Sequence, residues 1–385
     1  MMATKLTALL GCRYPIIQTA MGWVSDPVLT AATSNAGGFG FLAGATIPAD
    51  KMEANILETK ALTDKGFGVN FHMYQPNARD IVELVIKHKI KAVSYSRSPG
   101  PSMIEKLKKA GVICMPTVGH VKHAKKALLL GADAITIQGS EGGGHTGATP
   151  TSMLVPEIVD ALSGKVPLAA AGGFKDGRGL VAALSYGADG IAMGTRFLLT
   201  KESPVPYATK KAYLDCTDPS LIITSKKVDG IPQRMIQNEF LTLLEQSSLL
   251  SKVKFLMQSS LEYKSFTGES TLKLFKSLCS MLLNNDQKRL TAFMAAGAPM
   301  FIQKAMVKGH PQKGILPSGQ VAATINDLPS CHDLLFAIAH EAEATLRQLS
   351  NLSWGSIHVS AKSPQKDIPP ASMIYNKEPS YEKTL

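Results

Sequence analysis

Ala134-Ile135-Thr136-Ile137-Gln138-Gly139-Ser140-Glu141-Gly142-Gly143-Gly144-His145-Thr146-Gly147 holds the step from which the whole chain is built. An apolar run short enough to be a single strand empties into a loop almost without side chains. Glycine loses more backbone freedom on folding than any other residue. Gly142, Gly143, Gly144 and Gly147 together therefore predict something bulky lying against bare backbone. His145 is the residue of that loop able to exchange a proton near neutral pH. The stretch reads as a ligand seat with an acid/base attached.

The same step recurs on either side. Strand-like runs are predicted at Pro15–Ala20, Phe39–Ala43, Phe67–Phe71, Ala92–Ser96, Val112–Val118, Ala134–Gln138, Pro167–Ala171 and Gly190–Met193. They are continuous and not alternating, as expected of parallel strands covered on both faces. Helix patterns at Asp26–Asn35, Ala49–Ala61, Asn77–Lys89, Pro101–Ala110, Val121–Leu130, Ser152–Leu162 and Asp176–Tyr186 separate them. Several close on a glycine (Gly111, Gly131, Gly164, Gly187) that steps into the next strand. Units recurring every 20–30 residues or so over the first half of the chain predict an α/β fold, a (β/α)8 TIM barrel. Chemistry in such a barrel sits at the carboxyl ends of the strands. Met21-Gly22, Asn70, His145, Gly172-Gly173 and Gly194-Thr195 all fall there.

With 385 residues, 45% hydrophobic and 18% charged, the chain has the apolar mass for a full core and is too apolar for disorder. No run approaches the roughly 20 apolar residues of a membrane-spanning helix, and Met1–Arg13 lacks the pattern of a signal peptide. A cytoplasmic protein with no membrane partner is expected. Cys12, Cys114, Cys216, Cys279 and Cys331 are scattered without C-x-x-C spacing, which argues for a reducing compartment and against a zinc site or disulfide framework. The net charge of +11 reads as solubility or attraction of anionic cofactors and carriers. Its lysines are dispersed and not interleaved with aromatics, so nucleic acid is not an expected partner.

Beyond Thr200 the rhythm stops. Lys226–Arg234 is polar and β-like, and 236–308 reads as amphipathic helices with a stripe of Leu241, Leu244, Leu249, Leu250, Val253, Leu256 and Met257. The segment Gly314–Leu349 returns to strong signals, with helices opening at Gly319-Gln320 and spanning Leu334–Leu349. The expected organisation is a barrel of residues 1–225 and 311–350 with an additional C-terminal helical region. That region, 226–310, is an insertion that caps the barrel or forms a homodimer interface. A proline-containing irregular tail follows at 351–385.

Two glycine pairs, Gly172-Gly173 and Gly194 with Thr195, end the seventh and eighth predicted strands. The loops there frequently bind phosphate through converging backbone N–H groups, and the Thr195 hydroxyl adds a donor. Asp176 reads as an N-cap. The glycines of Gly37–Gly44 lack dinucleotide-fingerprint spacing and do not open a helix, so that reading is rejected. His120 and His123 read as a solvated helix face without a third metal ligand. Asn70 and Gln138 end strands with an amide that reads the edge of a flat heterocycle. Phosphate seat, two amides and a glycine platform together describe a flavin mononucleotide (FMN) site.

The motifs Pro15-Ile16-Ile17-Gln18-x-x-Met21, Asn35-Ala36-Gly37-Gly38, Phe67-Gly68-Val69-Asn70, Gln138-Gly139-x-Glu141-x-Gly143-Gly144-His145-x-Gly147, Ala171-Gly172-Gly173, Asp176-Gly177-Arg178-Gly179 and Met193-Gly194-Thr195-Arg196-Phe197 occur in this order. As a set they resemble the nitronate monooxygenase (2-nitropropane dioxygenase) family of FMN-dependent barrel enzymes. That family is related to FMN-type enoyl-ACP reductase II and to NADH:quinone reductases. The resemblance implies that Met21, Gly22, Asn70, Gln138, Gly143, Gly144, Gly172, Gly173, Ala192, Met193, Gly194, Thr195 and Gln320 hold FMN, with no metal, and that His145 is the catalytic acid/base. Thr19-Ala20 and Gly142 depart from the family pattern on the substrate side.

An oxidoreductase on a small-molecule substrate is thus expected. In a first reading it oxidises alkyl nitronates with O2 to a carbonyl compound and nitrite. In a second, NAD(P)H is a co-substrate and the acceptor is an enoyl thioester or quinone. A non-catalytic flavin-binding module is a third reading, against which His145 argues.

Overall fold

Parallel strands β1 (Ile16–Gln18), β2 (Phe39–Ala43), β3 (Gly68–His72), β4 (Ala92–Ser96), β5 (Ile113–Val118), β6 (Ile135–Gln138), β8 (Leu168–Ala171) and β9 (Gly190–Met193) close into a barrel. The computed structural model describes residues 3–45, 47, 49–73, 75, 77–96, 99–246 and 298–352. Closure is by β9 on β1, with Gln18 opposite Met193. Each predicted strand is present within a residue or two of its expected ends, and so is each predicted helix between them. The chain divides into a unit Met1–Leu346 and a segment Arg347–Leu385, the latter described only to residue 352.

Alternation along the strands sorts the barrel into two walls. Outward residues such as Val69, Phe71, Val93, Tyr95 and Cys114 pack against the helices. Inward residues Ile17, Phe39, Phe41, Ala92, Ile113, Met115, Ala134, Ala169, Ala171 and Ala192 form a separate core, joined by Leu6 and Leu10 from the helix Lys5–Leu10. That helix plugs the amino end of the barrel. Towards the carboxyl end the same inward faces carry Asn70, His72, Ser94, Ser96, Thr117, Thr136 and Gln138. Apolar at the bottom and polar at the top, the barrel has one end built for a ligand.

Two glycine-bearing motifs prove to be packing devices. A side chain at Gly40 would meet the Thr30 carbonyl at 2.4 Å, and one at Gly177 would meet Ala342 N at 2.4 Å. Glycine lets the helix Pro27–Asn35 approach β2, and the helix Cys331–Ser350 cross the start of Gly177–Ser185. Asp176 is the N-cap expected of it, accepting from Gly179 N at 2.9 Å. His120 likewise caps its helix, accepting from Lys122 N.

The stretch Lys226–Arg234, expected to be β-like, is mostly the connection of an antiparallel hairpin whose strands, β10 (Ile222–Ser225) and β11 (Gln233–Ile236), lie largely outside it. β11 also pairs with β12 (Leu316–Pro317) and with β7 (Gly144–His145), the ladder that forms on the glycine loop itself. Behind the hairpin, Val228 and Met235 pack with Phe240, Leu241 and Leu244 of the helix Glu239–Gln246 and with Phe301. The remainder of the expected stripe (Leu249, Leu250, Val253, Leu256, Met257) and the tail beyond 352 lie outside the described residues.

Candidate active site

The expected residues gather at the polar mouth. Gly172 and Gly173 follow β8 with φ of +106° and +83°, a conformation that side chains resist. Gly194 and Thr195 follow the adjacent strand β9. Thr195 Oγ1 accepts from Gly319 N at 2.9 Å, which leaves its own O–H as a donor. Two neighbouring strand ends thus offer bent backbone and a hydroxyl to an anion. On the other side of Gly194 lies Met21, whose sulfur would be 3.4 Å from a Cβ placed there.

The Met21–Ser25 turn is braced from below. Gln18 Nε2 donates to Ser25 Oγ at 2.8 Å, and Ser25 Oγ accepts from Met21 N at 2.8 Å. The turn holds Trp23 at φ +59° beside Gly22. An aromatic residue in the left-handed region costs about 1–3 kcal/mol, and such strain collects where function fixes it. Nothing in the local sequence announces Trp23.

Asn70 stands on the opposite wall. Its Nδ2 donates to both the carbonyl (3.1 Å) and the hydroxyl (3.0 Å) of Ser94. Its amide is therefore oriented, with Oδ1 the end presented to a ligand. Gln138 Nε2 donates to the His145 carbonyl at 2.9 Å and ties the loop to its strand. Ala192 faces the barrel interior, whereas the Met193 side chain packs among the helices and has only backbone to offer.

The glycine loop corrects the opening inference. Its crowding comes largely from the protein. A Cβ at Gly139 would lie 2.1 Å from Thr151 Oγ1, at Gly142 2.8 Å from Gln138 Nε2, and at Gly143 2.6 Å from Gly319 N. Gly144, at φ +66°, has nothing within 4 Å and opens onto free space. Glu141 holds the loop from below, its carboxylate accepting from Thr151 N and Oγ1.

From above, the β10–β11 hairpin clamps the loop. Gln233 is paired with His145 and Arg234 with Gly144. Thr146 N donates to the Pro232 carbonyl at 3.1 Å, and Arg234 Nε to the Ser140 carbonyl at 2.9 Å. Arg234 Nη1 also donates to Gln320 Oε1 at 2.7 Å, and Gln320 N to the Glu141 carbonyl at 2.9 Å. Gln320 thus joins the site through two protein contacts.

His145 is half-exposed, and its Nε2 lies 2.8 Å from Asp229 Oδ2. Asp229 sits at the hairpin tip, its side chain nearly buried. It also accepts from Gln233 Nε2 (2.5 Å) and Ile231 N (3.0 Å). Burial works to raise the pKa of Asp229, but the hydrogen bonds from His145, Ile231 N–H and Gln233 and the charge of His145 together hold it below the ordinary carboxylate value. An imidazole paired to a carboxylate beside open space is an acid/base arrangement. Sequence reasoning missed Asp229; the Asp229-Gly230 step between two β-like runs is the hairpin signal that marks it. No cluster of metal-binding side chains occurs among the described residues.

Known proteins resemble the chain over most of its length. The sequence profile of the nitronate monooxygenase family matches residues 3–341. The (3aS,4S,5R,7aS)-5-hydroxy-7a-methyl-1-oxo-octahydro-1H-indene-4-carboxyl-CoA dehydrogenase of Rhodococcus jostii is 43% identical over 344 residues, covering 88% of this chain and 95% of that protein. Among solved structures, FabK from Thermotoga maritima superposes with a TM-score of 0.73 at 28% identity, over 91% of this chain and 99% of FabK. A nitroalkane oxidase from Streptomyces ansochromogenes gives 0.67 at 26% identity, over 90% and 100% of the two chains.

Proposed function

This chain belongs to the nitronate monooxygenase family of oxidoreductases, and from that premise we propose that it is an FMN-dependent dehydrogenase of acyl-CoA thioesters. The observation that carries the reading is its 43% identity to a carboxyl-CoA dehydrogenase along nearly the whole of both chains. Nitronate oxidation, the first expectation from sequence, stays as a second reading because a nitroalkane oxidase shares the fold over its full length.

FMN suits the parts present. The consecutive left-handed glycines Gly172 and Gly173 with Gly194 and Thr195 would take its phosphate. Asn70, oriented by Ser94, would meet the polar edge of the ring. Met21 and Gly22 would flank the ring, with Gln138, Gly143, Gly144, Ala192, the Met193 backbone and Gln320 completing the seat. When bound, FMN supplies a two-electron acceptor for the hydride that a dehydrogenation removes.

The chain's own contribution is proton handling and enclosure. The hydrogen α to a thioester carbonyl is acidified by that carbonyl, and His145 is the base to take it. Asp229 balances the charge that the ring acquires. The β10–β11 hairpin would help enclose the mouth, since it already pairs over His145. The net charge of +11 favours a polyanionic thioester carrier. In this direction a two-electron acceptor such as O2 or NAD(P)+ would reoxidise the flavin.

The test is reconstitution. Protein purified with excess flavin and desalted is expected to retain FMN, identified by chromatography after acid release, at one per chain. A colourless protein that takes up neither FMN nor FAD would remove the cofactor and with it the dehydrogenase reading.

A further inference from the structure

We propose that Asp229 is a positioning residue that fixes the tautomer of His145, making Nδ1, and not Nε2, the nitrogen that exchanges a proton with substrate. The inference deepens the reading of His145 as the acid/base and rests on it for its catalytic meaning.

An ionised carboxylate only accepts hydrogen bonds. Asp229 receives three: His145 Nε2 and Gln233 Nε2 on Oδ2, and Ile231 N on Oδ1. A neutral imidazole carries one N–H, and the nitrogen 2.8 Å from that carboxylate must be the one that bears it. The reverse tautomer would press a lone pair against an anion whose side chain is only 9% exposed. The lone pair therefore lies on Nδ1. Once Nδ1 takes a proton, the imidazolium remains paired with the same carboxylate.

The arrangement is built into the backbone and does not depend on a chance side-chain contact. Ladder pairing sets Gln233 opposite His145, four residues after Asp229. Gly230, at φ +84°, makes the turn, and Val228 anchors it in the core behind. Gln233 and Ile231 N–H fix the carboxylate from two sides, so it meets the ring at a defined angle. Other charged groups on the packed elements are engaged elsewhere or face solvent. Glu141 accepts from Thr151, Arg234 donates to Ser140 and Gln320, and Lys226 and Lys227 are exposed.

Nitrogen NMR on full-length protein labelled at histidine with 15N tests the assignment without any substrate, the His145 signals being identified by their loss in His145→Asn. The wild type is expected to show a protonated Nε2 and an unprotonated Nδ1 at high pH. In Asp229→Asn, whose amide can donate as well as accept, the nitrogen shifts are expected to show both tautomers of the ring. Circular dichroism and thermal midpoint identify any misfolded variant, and the wild-type tautomer needs no variant at all. A wild-type Nδ1–H tautomer, or a folded Asp229→Asn protein that keeps the Nε2–H tautomer alone, would overturn the proposal. If both NMR results hold while His145→Asn keeps full turnover, the tautomer assignment stands and the catalytic reading of His145 fails instead.

Discussion

Replacing Gly143 with alanine tests whether the glycine loop is shaped by the protein's own backbone. The new Cβ would lie 2.6 Å from Gly319 N and 2.7 Å from Ser318 C, where ordinary contact begins near 3.4 Å. Both neighbours are main chain and cannot rotate away, so the loop and residues 318–319 must part by about 0.8 Å. The hydrogen bond from Gln320 N to the Glu141 carbonyl, 2.9 Å long, spans that seam and would be lost. Overpacking costs about 1–3 kcal/mol and a backbone hydrogen bond about 1 kcal/mol, so about 3 kcal/mol is expected. With unfolding entropy near 2.1 cal/mol/K per residue, that lowers the midpoint by about 4 °C. Gly144→Ala is the control. It meets nothing within 4 Å and bears only the strain of φ +66°, about 1 kcal/mol, or about 1–2 °C. Thermal unfolding followed by circular dichroism, with flavin content measured alongside, decides the matter. A Gly143→Ala protein as stable as Gly144→Ala would refute the packing argument.

Two further outcomes are expected. His145→Asn keeps its flavin but loses turnover by about 100-fold or more, the usual contribution of a positioned acid/base; steady-state kinetics beside a flavin spectrum check both halves. The pH dependence of stability carries the mark of Asp229. Its folded pKa lies below the unfolded value of about 3.9. The stability it contributes is therefore fully present above that value and is lost as pH falls through the lowered one. Urea unfolding of wild type and Asp229→Asn should accordingly differ near neutrality and converge in acid, and a gap that persists below both values would contradict the assignment.

The barrel was legible because its strands are buried on both faces, and such strands read as unbroken apolar runs. Gly68–His72 and Ala92–Ser96 appeared where those runs lie. The juxtaposition of the two glycine pairs was legible for a related reason: they end adjacent strands, and barrel order places them side by side. The small antiparallel sheet over the mouth was not. Its strands are only two to four residues long and come from distant parts of the chain, Gly144–His145, Ile222–Ser225, Gln233–Ile236 and Leu316–Pro317. No local period reports such an assembly. Asp229 was hidden with it, since only the pairing of Gln233 with His145 brings the carboxylate to the ring. The glycine loop misled in an instructive way. Bare backbone signals close approach, but sequence does not say whether the approaching atoms belong to a ligand or, as at Gly143, to another segment of the chain. Gln138 has a second task that the sequence does not announce, its amide donating to the His145 carbonyl.

The most direct test of the central claim is anaerobic mixing of the flavin-loaded protein with a bulky alicyclic acyl-CoA, ethyl nitronate and NADPH or NADH in separate shots, following flavin absorbance in a stopped-flow instrument. A dehydrogenase of acyl-CoA thioesters should bleach rapidly with the acyl-CoA, and His145→Asn should bleach at least about 100-fold more slowly. Bleaching by the nitronate alone, or by the nicotinamide alone, with a panel of acyl-CoA thioesters leaving the flavin oxidised, would contradict it.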